Sequence, residues 1–75
     1  NMIIKNKSTK EILKLTEIEF KRKFAKEIQE AFESYKRTVQ AKPYFMKRNI
    51  ESEFYNDIIW NFNHFGISYW YIEKI

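Results

Sequence analysis

The sequence predicts an α+β fold that is mostly helical, with a short N-terminal helix, two main antiparallel helices and a small two-stranded sheet built from the chain ends. Three observations carry this expectation. Apolar residues recur at three- and four-residue steps over two long stretches. The lone Gly66 and Pro43 sit where those stretches stop. Both chain ends are dense in branched or aromatic residues, as strands are.

Ser8-Thr9-Lys10-Glu11 has the spacing of a capping box, in which hydroxyl and carboxylate satisfy each other's backbone donors. It predicts a short helix through about Leu15. Thr16-Glu17-Ile18-Glu19 repeats the signature, and its acids suit the positive end of a helix dipole. The main helix is placed there. Phe20, Phe24, Ile28, Ala31/Phe32, Tyr35 and Val39 form its core stripe to about Gln40, and Lys42-Pro43 ends it. The opposite face carries Lys21, Arg22, Lys26, Glu30, Glu33 and Arg37, with Glu33 and Arg37 at the favourable i,i+4 order.

A second helix is expected from about Asn49 or Ile50 to Phe65, with Ile50, Phe54, Ile58, Phe62 and Phe65 on one stripe. Gly66 would close it in a left-handed conformation. Ile67-Ser68-Tyr69-Trp70-Tyr71-Ile72 then reads as a strand that Met2-Ile3-Ile4 could pair with. The 75 residues make one domain with one modest core, and Asn1 before Met2 reads as an expression remnant. A core this small is usually supported by a disulfide, a metal or a partner subunit. With no Cys and a single His, oligomerisation is the expected support. No signal-peptide core and no membrane span is apparent, so cytosol is the expected compartment.

The net charge of +4 is unevenly spread. Residues 1–48 hold thirteen of the fourteen Lys/Arg against six Glu, a net of +7, and residues 49–75 carry −3. Ten of the fourteen aromatics fall between Tyr44 and Tyr71. No nucleophile stands beside His64 in a recognisable catalytic pattern, so no enzyme activity and no cofactor is expected, and His64 suits a capping or packing role. Glu51, Glu53 and Asp57 form the one acidic group. Spacing puts Glu53 and Asp57 on one helix face, where first-turn acids serve the dipole and no histidine stands at ligand spacing, so no metal site is expected.

Two kinds of binding surface remain. Lys21, Arg22, Lys23 and Lys26, joined by Lys42, are candidate phosphate contacts, although the acids on the same helix also allow a solvated, self-paired face. Lys42, Lys47 and Arg48 flank Tyr44-Phe45-Met46 without nearby acids, a mixture that suits nucleic acid or a protein groove. Tyr69-Trp70-Tyr71 would stack on bases or bury itself in a dimer interface, and dimerisation is the expected use.

The stretch opening Met2-Ile3-Ile4-Lys5-Asn6-Lys7, rich in Lys, Asn, Ile, Phe and Tyr and poor in Gly, Pro and Ala, resembles the small sliding-clamp inhibitors of staphylococcal phages. The resemblance implies a host-takeover protein acting in the cytoplasm of the infected bacterium. It would bind the DNA polymerase III beta sliding clamp as a homodimer, fill the DNA channel and block loading onto DNA. Such a channel is positively lined, so Glu51, Glu53 and Asp57 would face it, with Tyr44, Phe45, Lys47 and Arg48 as further contacts. A chain of +4 is no overall DNA mimic, and it lacks the glutamine-led peptide that clamp partners usually insert. The alternative is a small basic DNA- or RNA-binding protein.

Overall fold

A computed structural model describes residues 1–40 and 49–74. In chain order the elements are strand β1 (Met2–Asn6), strand β2 (Ile12–Leu15), helices α1 (Glu17–Lys23), α2 (Ala25–Gln40), α3 (Ile50–Asn56) and α4 (Ile58–Phe65), and strand β3 (Trp70–Lys74). The α+β class holds, with a three-stranded antiparallel sheet in place of the expected two strands, in the order β2-β1-β3.

The expected N-terminal helix is instead the second arm of a hairpin. The Asn6 side chain accepts the backbone N–H groups of Ser8 (2.8 Å) and Thr9 (2.9 Å), which folds the chain back before a helix can start. Lys10 N–H then donates to Asn6 O, and Asn6 N–H to Glu11 O, each at 2.9 Å. Glu11 N–H turns to the Thr9 hydroxyl, so the capping box from Ser8 does not form. Ile12-Leu13-Lys14-Leu15 alternates exposed and half-buried, the period of two that a sheet surface selects. A helix this short would stay marginal alone, whereas a strand beside β1 forms its bonds with a partner already in place.

The second signature does cap a helix. Glu19 N–H donates to the Thr16 hydroxyl at 3.2 Å and Thr16 N–H donates to the Glu19 carboxylate at 2.9 Å, a reciprocal box. The main helix breaks once, at Phe24 (φ −106°, ψ 26°), although hydrogen bonds run through the kink from Phe24 N–H to Phe20 O and from Ile28 N–H to Phe24 O. The expected second helix breaks at Asp57 (φ −130°, ψ 56°). Its cause is visible in buried Asn61, whose amide donates to Phe54 O at 3.0 Å. That carbonyl would otherwise accept the N–H of Ile58, so the side chain replaces the bond the break removes.

Gly66 ends α4 but is not left-handed, with φ −73° and ψ 147°. Glycine is needed there for a close approach, because a Cβ would stand 2.5 Å from Phe62 O, the carbonyl that accepts Gly66 N–H. Among the described residues the left-handed one is Lys10, at φ 66°.

The core lies between the inner sheet face and the helices. Met2, Ile4 and Ile72 meet Phe20, Phe24, Ile28, Ala31, Phe54 and Phe62, all buried, which are the stripe positions read from the helical period. Its packing is dominated by rings met edge-on: Phe20 on Phe62 (5.3 Å), Phe24 on Trp70 (5.1 Å), and Tyr35 on both Phe54 and Phe65 (5.4 Å each). The open edge of β3 is closed by Asn63 of α4. Its side chain accepts Ile72 N–H at 2.8 Å and donates to Ile72 O at 2.9 Å, which satisfies a strand edge that would otherwise template pairing with another chain. Among the described residues no helix is long and apolar enough to cross a membrane.

Candidate binding surfaces

Among the described residues no group of three or more His, Cys, Asp or Glu could hold a metal ion. The ring of His64 stacks on Trp60 at 4.8 Å with 12° between planes and meets Phe65 edge-on at 4.7 Å. These are packing contacts.

The acidic group divides at the helix break. Glu51 and Glu53 lie in the first turn of α3, which Asn49 caps by accepting Ser52 N–H at 3.1 Å. Asp57 is the break itself, so Glu53 and Asp57 do not follow one another along one continuous helix, and the spacing expectation fails there. Glu51 and Asp57 are exposed and Glu53 is half-buried. Burial pushes the Tyr55 phenol above its ordinary pKa, and the Glu51 charge adds to the shift. Of the proposed companions, Lys42, Tyr44, Phe45, Lys47 and Arg48 lie outside the described residues.

Lys21, Arg22 and Lys23 form the last turn of α1, where cations suit the negative end of the helix dipole, and Lys26 follows across the kink in the first turn of α2. All four are exposed. Lys21 is engaged, with Glu17 at 3.8 Å and the Tyr55 ring at 4.8 Å. It rims a small hollow of about 110 Å³ floored by Met2, Phe20 and Ile58. Arg22, Lys23 and Lys26 make no ion pair among the described residues, so the self-paired face is only partly realised. Glu33, expected to face Arg37, pairs with Lys36 at 3.9 Å and accepts from Gln29 at 2.8 Å.

The aromatic tail separates into three environments. Tyr69 is 70% exposed, Trp70 turns inward onto Phe24, and Tyr71 turns to the opposite sheet face, where Lys7 Nζ lies 5.7 Å from its ring centroid. Strand alternation requires this split between neighbours. Two further large apolar side chains near Tyr69 in sequence are also exposed: Trp60 on α4 and Ile67 in the loop that follows. Trp60 was not among the expected contacts, because helical periodicity identifies the buried stripe and is silent about its margin.

A cluster that the sequence reading missed lies on the outer face of the sheet. Directly paired residues share a face, so the register puts Lys14 and Ile3 in one row and Ile12, Lys5 and Tyr71 in the next, and it shifts between Ile4 and Ile3, where Lys74 pairs. Lys7 and Lys10 come from the adjoining turn, and with Lys5, Asn6, Ile12 and Tyr71 they line an open groove of about 320 Å³. Lys5 is ion-paired with Glu73, whose hydrogen bond raises the lysine pKa. The signal that would have found this cluster is the two-residue alternation of 12–15. No family model, no curated protein and no solved structure matches this chain.

Proposed function

We propose that the chain is a non-enzymatic inhibitor of bacterial DNA replication that binds the polymerase III beta sliding clamp as a homodimer and occupies its DNA channel. The observation that carries a binding role is that large apolar side chains stay open in a chain of this size, among them Trp60 at 58%, Ile67 at 79% and Tyr69 at 70% exposure. Such groups lose contact with water only against a second surface. A second copy covers them in this reading, and Glu51 and Asp57, both exposed, face the positively lined channel. The choice of the clamp rests on the resemblance of the whole stretch from Met2, in length and overall character, to phage clamp inhibitors.

The test is size-exclusion chromatography of the chain mixed with purified clamp. Co-elution is expected, weakened by Trp60→Ala with Tyr69→Ala; separate elution at micromolar concentrations ends the proposal. A second reading, direct binding of nucleic acid, is favoured by exposed Arg22, Lys23 and Lys26, which no described acid pairs. It predicts duplex affinity that falls steeply with salt in the absence of any other protein.

A further inference from the structure

We propose that the outer face of the β2-β1-β3 sheet binds single-stranded nucleic acid, with the lysines on phosphates and Tyr71 as a stacking ring. The inner face is consumed by the core, and the outer face is not. On it, or on the turn beside it, stand Lys5, Lys7, Lys10 and Lys14. Lys5 alone among them is ion-paired among the described residues, to Glu73. Lys7, Lys10 and Lys14, three cations without an ion pair among the described residues on one side of a three-stranded sheet, repel one another, an arrangement that a polyanion relieves.

Two features separate this face from an ordinary solvated one. The groove joins Lys5, Lys7 and Lys10 to the half-buried Tyr71 ring and to Ile12, which is 55% exposed, so charge and planar apolar surface are adjacent. That is the combination by which single strands are held, phosphates on cations and bases on rings. Duplex bases are already stacked and could not reach Tyr71. The second feature is Lys10 itself. Its φ of 66° is a conformation that glycine or asparagine adopts more cheaply, yet a lysine occupies it at the rim of the groove. Tyr69 O accepts Lys7 N–H at 2.8 Å, which holds the turn against the start of β3 and keeps Lys7 over Tyr71.

This inference is independent of the clamp proposal, and its assay contains no clamp. Fluorescence anisotropy is measured on labelled oligothymidylate and oligouridylate of about 16 nucleotides, the upper site size for one small sheet domain. A duplex of equal length and anionic phosphatidylserine vesicles are the competing arms. Saturable single-strand binding tighter than about 10⁻⁴ M is expected, with the DNA and RNA arms distinguishing the natural strand. Lys7→Glu with Lys10→Glu should flatten the salt slope by roughly 1.4, at about 0.7 per phosphate contact. Tyr71→Ala should weaken binding about ten-fold. Lys10→Gly should weaken binding while raising the melting temperature, which separates a ligand contact from a folding role. Absence of saturable binding, preference for the duplex or the vesicles, or an equal loss from Lys23→Glu with Lys26→Glu overturns the assignment.

Discussion

Replacing Asn63 by Ala removes the side chain that closes the edge of β3 at Ile72. Two hydrogen bonds are lost, at 2.8 and 2.9 Å, and both Ile72 backbone groups are left facing a partly buried seam against α4. At about 0.5–1.5 kcal/mol net per bond the expected loss is about 2 kcal/mol. A domain of this length is typically stable by roughly 4–11 kcal/mol, so the change is a large share of the total. At about 4–8 °C per kcal/mol it corresponds to a drop of roughly 8–16 °C in the melting temperature. The assay is thermal and urea unfolding followed by far-ultraviolet circular dichroism, with light scattering to detect association through the freed edge. Asn63→Asp sharpens the test, because an ionised carboxylate still accepts Ile72 N–H but has no donor for Ile72 O. It should be at least as damaging at neutral pH. A loss below about 0.3 kcal/mol for Asn63→Ala would refute the claim that this amide closes the edge, since that is within the range of an ordinary surface change.

Four further outcomes follow from the same structure. Thr16→Ala should cost about 1 kcal/mol by removing the cap of α1, measured by urea unfolding. The hydrogen bond from Thr16 N–H, aided by the Thr16 hydroxyl, holds the Glu19 carboxyl below its ordinary 4.5, and a lowered native pKa stabilises the fold above the unfolded value. Stability should therefore fall as pH drops from about 4.5 through the native Glu19 value, and Glu19→Gln should remove that part of the slope; a slope unchanged in Glu19→Gln would count against it. Gly66→Ala should destabilise by about 1–3 kcal/mol, because its Cβ would meet Phe62 O at 2.5 Å; an unchanged melting temperature would contradict the close approach. Phe62→Ala, at the junction of α4 and Phe20, should cost about 3–5 kcal/mol and leave little folded protein, read as loss of the cooperative transition.

The candidate surfaces were unevenly legible. Exposure of Lys21, Arg22, Lys23 and Lys26 follows from their place opposite a strong apolar stripe, and the structure leaves all four at the surface. Tyr69, Trp70 and Tyr71 read as one aromatic unit, but the strand sends Trp70 and Tyr71 to opposite faces and leaves Tyr69 outside the ladder. On the outer sheet face Lys5, Lys14 and Tyr71 are far apart in sequence, and only strand register brings them together.

By itself the sequence determined what local chemistry can determine. The stripe from Phe20 to Val39, the stripe from Ile50 to Phe65, the cap at Thr16 and the strand at the C-terminal end are all written in spacing of three, four or two, or in a single reciprocal box. What only the tertiary structure decided are the points where two local solutions compete. Ser8–Leu15 carries a helix-start signature and an alternating run, and β1, with an edge to fill on that side, selects the strand. The helix break at Asp57 is held because the amide of Asn61 compensates what the backbone gives up, whereas the kink at Phe24 keeps its flanking hydrogen bonds. Gly66 was placed correctly at the end of α4, but its reason, the nearness of Phe62 O, is a distance that no one-dimensional pattern contains.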